Sequence, residues 1–300
     1  MNYTTLISAE RLHQHLNNPN WIVIDCRFSL ADTDAGFKAY RHGHIPNARY
    51  AHLDKDLSSA VTDFTGRHPM PNLITLVNKL GIWGVDNHSQ VVVYDDVSGA
   101  FAGRLWWLLR CLGHENIAVL DGGYKHWQKL ALPVTTTLPT IKPSIFRAYP
   151  IKNPGLTALE VQNGLAQKAI CLIDARTPER YRGEQEPIDP VAGHIPGAVN
   201  RPFHSNLDSN GLFLSAELLR NQFKTLISDK NHRQVIHMCG SGVTACHNLL
   251  AMEVAGLAGS KLYAGSWSEW IRDKNRPTGR DGGSAAIGSE PMRSIVIKCN

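Results

Sequence analysis

Short runs of β-branched and other apolar residues alternate along the chain with longer stretches whose apolar positions recur at helical spacing. Residues 22–25, 91–95 and 117–120 read as buried strands, and so do 170–174, 234–238 and 261–263. Between them, 103–112 and 243–255 read as helices. Brief, continuously apolar strands alternating with helices predict an α/β fold: mainly parallel sheets flanked by helices on both faces. In such sheets ligands bind beyond the carboxyl ends of the strands. Asp95 and Cys239 both fall at such an end, each just before a predicted helix.

The pattern occurs twice. Gly43-His44-Ile45-Pro46 returns as Gly193-His194-Ile195-Pro196, and the apolar run ending in Asp25-Cys26-Arg27 returns as the one ending in Asp174-Ala175-Arg176. Val91–Asp95 is answered by Val235–Cys239, and Gly122-Gly123-Tyr124 through Trp127 by Gly265-Ser266-Trp267 through Trp270. The four matches keep their order, and their offsets stay between 143 and 150 residues. A tandem repeat of one domain is the reading. The boundaries expected are 1–140 for the first copy, 141–156 for a proline-rich linker, 157–280 for the second copy and 281–300 for a tail. The Gly-, Ser- and Arg-rich stretch from Pro277 onward is expected to lie over the surface.

Composition narrows the class. With 43% hydrophobic and 19% charged residues, the chain reads as a globular protein. No apolar run reaches the roughly 18–20 residues of a membrane span. The first residues lack a basic segment followed by an apolar one, so no signal peptide is predicted and the cytoplasm is favoured. A formal net charge of +5, spread along the chain, suits a small anionic substrate; no dense basic stripe suggests nucleic acid. The six cysteines form no CxxC pair and match no zinc spacing, so no metal is expected, and all six are expected to be reduced.

One cysteine stands apart. Cys239-Gly240-Ser241-Gly242-Val243-Thr244 follows a strand and opens a helix. Two glycines let the backbone curl so that successive N–H groups point inward, and the helix start adds partial positive charge. Both favour a thiolate and would equally hold a persulfide. A packed structural cysteine needs neither glycine nor helix start.

The loop Cys-Gly-Ser-Gly-Val-Thr-Ala, the paired Gly-His-Ile-Pro motifs and the closing Gly-Ser-Trp-Ser-Glu-Trp resemble the tandem-domain rhodanese and 3-mercaptopyruvate sulfurtransferase family, over roughly residues 8–276. The resemblance implies a six-residue active loop, Cys239 to Thr244, in the second domain only, with Cys239 as nucleophile and Gly240, Gly242, Val243 and Thr244 cradling substrate sulfur. It implies a first domain that has lost its cysteine, with Asp95 at that position, and that covers the site. Arg180 matches the family arginine that grips the donor's anionic group; Arg67 adds positive field, and Arg182 reads as surface. Ser241, Asp54 and His68 match a Ser-His-Asp relay that polarises the donor's keto group and protonates the leaving enolate. A second donor-binding arginine between Arg180 and the second Gly-His-Ile-Pro has no evident counterpart. His44 and His194 read as structural because they recur in the inactive copy, and Cys246 and the repeated tryptophans read as packing.

The implied reaction passes sulfur from 3-mercaptopyruvate through a Cys239 persulfide to a thiol, thioredoxin or cyanide, without metal or organic cofactor. Thiosulfate as donor remains an alternative, as does a sulfur carrier or protein-binding module without turnover. A cysteine phosphatase is disfavoured, since the arginine it requires six residues after the cysteine is Ala245 here.

Overall fold

A computed structural model of the chain describes residues 2–149, 155–281 and 299. It divides into two compact units. The first comprises Met1–Val61, His68–Pro154 and Asn206–Leu214; the second comprises Thr62–Arg67, Gly155–Ser205 and Ser215–Asn300. The units are therefore not contiguous in sequence, because each includes a short segment from the other's stretch of chain.

The first unit runs β1 (Leu6–Ile7), α1 (Ala9–His15), β2 (Trp21–Asp25), α2 (Ala35–His42), β3 (Arg49–Tyr50), α3 (Leu53–Asp56), α4 (Leu73–Ile82), β4 (Gln90–Tyr94), α5 (Ala102–Cys111), β5 (Ile117–Leu120) and α6 (Gly123–Lys129). All its strand pairs are parallel, in the order β1-β5-β4-β2-β3. The second runs α7 (Ala158–Ala166), β6 (Cys171–Asp174), α8 (Pro178–Arg182), β7 (Val199–Asn200), α9 (Ala216–Ile227), β8 (Val235–Met238), α10 (Ala245–Val254), β9 (Lys261–Leu262) and α11 (Ser266–Trp270). Its parallel order is β7-β6-β8-β9. Each sheet is one order read twice: β2, β3, β4 and β5 correspond to β6, β7, β8 and β9. A single parallel bridge, Gly155 to Leu262, stands where β1 pairs with β5.

Local chemistry fixes the element ends. Ser8, Asn72 and Ser215 cap α1, α4 and α9 with side-chain oxygens, and Thr157 with Glu160 forms a reciprocal capping box on α7. The central strands β4, β6 and β8 are buried along their whole length, as continuous apolar runs require. In each unit a buried Asp–Arg pair braces the turn after the second-ranked strand. Arg27 reaches Asp25 at 2.6 Å and the Gly43 carbonyl at 2.7 Å; Arg176 reaches Asp174 at 2.7 Å and the Gly193 carbonyl at 2.7 Å.

The structure departs from expectation at two cysteines. Cys171, at the start of β6, is joined to Cys299 by a disulfide, with the Cα atoms 5.5 Å apart. That spacing permits a bridge, and 128 residues of sequence separation hid it. The other four cysteines are free and buried. The described part of the stretch from Pro277 lies at the surface, exposed except for half-buried Gly279, which pairs with His194 in an antiparallel bridge. Residues 150–154 of the expected linker and 282–298 of the expected tail lie outside the described residues. Among the described residues no helix is long and apolar enough to cross a membrane.

Candidate active site

In the second sheet the chain passes from β6 to β7 on one side and returns to β8 on the other. The carboxyl ends of β6 and β8 therefore border a topological switch point, where such sheets leave a crevice. The turn after β6 leads to Arg180, in α8, and β8 delivers Cys239.

Cys239 is 2% exposed, and its loop is pinned by the start of α11. The Cys239 N–H donates to Ser266 Oγ at 3.1 Å, its carbonyl accepts from the Trp267 N–H at 3.0 Å, and the Gly240 carbonyl accepts from the Ser268 N–H at 2.9 Å. Gly242 adopts φ +74°, and a Cβ there would run into the Ala264 carbonyl, so only glycine fits. Ser241 and Val243 are buried beside it, and Thr244 leads directly into α10. Cys246 packs within α10 and donates its thiol to the Gly242 carbonyl at 3.4 Å.

The corresponding loop of the first unit displays what this backbone does to an anion. The Asp95 carbonyl accepts the Tyr124 N–H at 2.7 Å, as the Cys239 carbonyl accepts that of Trp267. The fully buried Asp95 carboxylate accepts N–H groups from Val97, Gly99, Phe101 and Ala102 at 2.7–2.9 Å. Burial pushes its pKa up while the four amides pull against that. A strand, a tight loop and a helix start thus aim a ring of donors at one negative group.

Around the Cys239 loop the second unit gathers charge. A Cβ on Gly240 would lie 2.8 Å from Arg67 Nη2 and 3.5 Å from Arg180 Nη2, so two guanidinium groups lie against the residue following Cys239. The position of Arg67 is fixed by its N–H, which donates to Ser268 Oγ at 3.1 Å. Arg67 Nη1 pairs with Asp189 Oδ1, and Arg180 Nη2 reaches the other oxygen, Oδ2, at 3.1 Å. Glu186 grips Arg180 through contacts of 2.7–3.2 Å and touches Arg176 at 3.4 Å. A second arginine beside Arg180 thus comes from a distant stretch of chain, as Arg67. Glu186 and Asp189 were visible only as an acidic, proline-rich segment, which does not reveal that both face arginines. Arg182 instead pairs with Glu184 in the open and takes no part.

In the first unit, His68 Nε2 lies 3.2 Å from Asp54 Oδ1. His68 is buried and Asp54 half-exposed; burial raises the Asp54 pKa, opposed by His52 and Lys55. The dyad's backbone is held by fully buried Arg104, whose Nη2 donates to the carbonyls of His68 at 3.2 Å and Pro69 at 3.4 Å. His44 and His194 are structural in both copies. Each Nδ1 meets a backbone carbonyl, of Tyr40 or Tyr181, and each ring stacks on that tyrosine with centroids 4.1 Å apart. Trp127 and Trp270 are buried, their indole N–H groups donating to the carbonyls of Pro133 and Pro277.

Known proteins resemble this chain in sequence and fold. A family model for the rhodanese-like domain matches residues 8–130 and again 157–273. A probable 3-mercaptopyruvate sulfurtransferase of Pseudomonas aeruginosa is 46% identical over 92% of this chain and 98% of its own. The thiosulfate sulfurtransferase of Rattus norvegicus is 33% identical over 90% and 93%. The solved structure of 3-mercaptopyruvate sulfurtransferase from Leishmania major superposes with a TM-score of 0.77 at 30% identity, covering 89% of this chain and 74% of that one. With a family match on both copies and relatives of this similarity along nearly the whole chain, the protein belongs to the rhodanese-like family and is a sulfurtransferase.

Proposed function

We propose that the protein transfers sulfur from 3-mercaptopyruvate through a persulfide on Cys239, with residues 1–140 as the inactive copy carrying Asp95 at the position of Cys239, 141–156 as linker, 157–280 as the catalytic domain and 281–300 as tail. The observation that carries this reading is the pair of guanidinium groups, Arg67 and Arg180, against Gly240 in the loop that presents Cys239. In this reading the donor's carboxylate binds the arginines, which suits their planar, forked geometry. The Cys239 thiolate attacks the donor sulfur. A sulfur–sulfur bond forms, the carbon–sulfur bond breaks, and its electron pair leaves on the carbon as the pyruvate enolate, which takes a proton. The loop amides of Gly240, Gly242, Val243 and Thr244 hold the charge on the persulfide. Ser241 meets the keto oxygen, and the Asp54–His68 pair handles the proton. An acceptor thiol, a thioredoxin-like protein or cyanide then attacks the outer sulfur and returns the thiolate.

Thiosulfate is the second reading, favoured by the likeness to the rat thiosulfate sulfurtransferase and by the two cationic side chains at the loop. The neutral Gly240 and Ser241, and the greater likeness to a probable 3-mercaptopyruvate sulfurtransferase, weigh for the keto acid. Two measurements test the proposal together. Intact mass after exposure to 3-mercaptopyruvate should rise by one sulfur atom, removable by cyanide and absent in Cys239→Ser. The ratio of kcat/KM for the two donors should favour 3-mercaptopyruvate. Turnover of thiosulfate as fast or faster would overturn the donor, and no sulfur on the protein would overturn the persulfide.

A further inference from the structure

The two arginines at Gly240 do not present bare positive charge. Asp189 spans them, one carboxylate oxygen on Arg67 and the other on Arg180, with its side chain only 3% exposed. Glu186, equally buried, holds the remaining edge of Arg180. Arg176, also against Glu186, is matched by Asp174. Three guanidinium groups thus face three carboxylates, and the cluster is neutral.

We propose that Asp189 is a specificity-determining residue: a carboxylate of the protein's own that occupies the arginine pair in the resting enzyme and must yield it to the donor. This inference rests on the reading of Arg67 and Arg180 as the donor's anion site. Its consequence is selection by charge. A donor carrying one negative charge replaces Asp189 like for like. A dianion replaces it and leaves one negative charge in excess, in a partly buried setting where an unmatched charge is costly. A neutral cluster would therefore prefer a monoanionic donor even though it contains arginines. Release of the product acid follows the same logic, because Asp189 returns to the pair as pyruvate departs. In its resting position burial raises the Asp189 pKa, with Arg67, Glu186, Arg180 and Arg176 also acting on it, Glu186 upward and the arginines downward.

Asp189→Asn and Asp189→Ser remove the competing charge while keeping a small polar side chain. KM should fall for both donors, and kcat/KM for thiosulfate should rise by about tenfold, severalfold more than for 3-mercaptopyruvate. Unchanged or raised KM for both donors, with an unaltered thiosulfate-to-mercaptopyruvate ratio in a folded variant, would overturn the inference: Asp189 would then merely brace the arginines. If neither variant folds, the wild-type enzyme answers the question. Protonating Asp189 mimics its neutralisation, so the thiosulfate-to-mercaptopyruvate ratio should climb as pH is lowered to the acid limit of the folded enzyme, and a ratio flat down to that limit would sink the idea. Arg180→Lys, assayed alongside, separates the two layers. If it leaves both donors' KM unchanged, the anion site itself has been misread. If it raises KM while the Asp189 variants change nothing, only the role of Asp189 fails.

Discussion

Arg180 serves two masters, and a paired substitution can tell them apart. Its guanidinium makes three contacts with Glu186 and one with Asp189, both carboxylates being 3% exposed. Arg180→Ala would leave Glu186 with the 3.4 Å contact to Arg176 and the backbone N–H groups of Ile188 and Asp189, at 3.2 and 3.1 Å, but without its main charge partner. Breaking a buried pair from one side costs about 3–5 kcal/mol, because the surviving charge is left unmatched. The Arg176 contact and the two amides that remain on Glu186 put the expected loss at the low end, about 3 kcal/mol at most, or no more than roughly 6–12 °C in melting temperature for a protein of this size. Separately, loss of a charge-assisted contact to the donor should lower kcat/KM about ten- to a hundredfold. In Arg180→Ala with Glu186→Gln the stranded charge is gone, so the melting temperature should recover by half or more while kcat/KM stays low. Thermal melts and steady-state kinetics on the wild type, both single variants and the double variant give the cycle. Recovery of activity together with stability would refute the argument, since Arg180 would then act only by holding the fold. Unchanged kinetics in Arg180→Ala would refute it more directly.

Three further expectations follow. Cys239→Ser should abolish sulfur transfer, whereas Cys246→Ser and Cys111→Ser, in buried helical positions, should keep most activity in a cyanide-acceptor assay. Denatured protein should titrate four thiols before reduction and six after, since Cys171 and Cys299 are joined; six before reduction would contradict the bridge. The fully buried His237, its pKa pushed down to about 3 by burial and then by Arg201, is neutral in the folded state while the unfolded chain takes up a proton near pH 6.5. Its contribution is therefore intact above pH 6.5 and lost as pH falls towards 3, by up to about 1.4 kcal/mol per pH unit. Urea midpoints at pH 7, 6 and 5 should show that slope in the wild type and a shallower one in His237→Leu.

What the sequence revealed, it revealed through period and repetition. The six strands expected from apolar runs coincide with β2, β4, β5, β6, β8 and β9 to within a residue or two at each end. The two-residue strands β1, β3 and β7 are too short to carry any period. The helix expected from 243 begins at Ala245, because Val243 and Thr244 belong to the loop that follows Cys239. Asp54 and His68 could be named from a motif, and their 3.2 Å approach is visible only in three dimensions. Arg67 was identifiable as a charge near a histidine, but not as the neighbour of Gly240. Asp189 and Glu186 look like ordinary surface acids until the fold presses arginines onto them. Local pattern is written in neighbouring residues; ion-pair partners and the Cys171–Cys299 bridge are chosen by tertiary approach between distant ones.

The duplication itself separates scaffold from chemistry. Whatever both copies retain serves the fold: the Asp–Arg brace on a glycine carbonyl, the histidine stacked on tyrosine and the tryptophan that closes each core. Chemistry should lie where the copies differ, and they differ at the end of the central strand. The first helix residue lies seven positions after Asp95 but six after Cys239, so the two loops wrap their central groups with different spans. In the first loop a fixed carboxylate satisfies its own ring of amides, and the anion site is permanently filled. In the second, the corresponding position carries the Cys239 thiol, which under the proposed function takes on a sulfur atom and gives it up. A donor ring already satisfied by a tethered carboxylate has no capacity left for a transferable anion. Under the proposed function one strand–loop–helix device serves two uses, a carboxylate braced by its own amides in one copy and a sulfur carrier in the other, and the copies differ there both in the central side chain, Asp95 or Cys239, and in the span of loop around it.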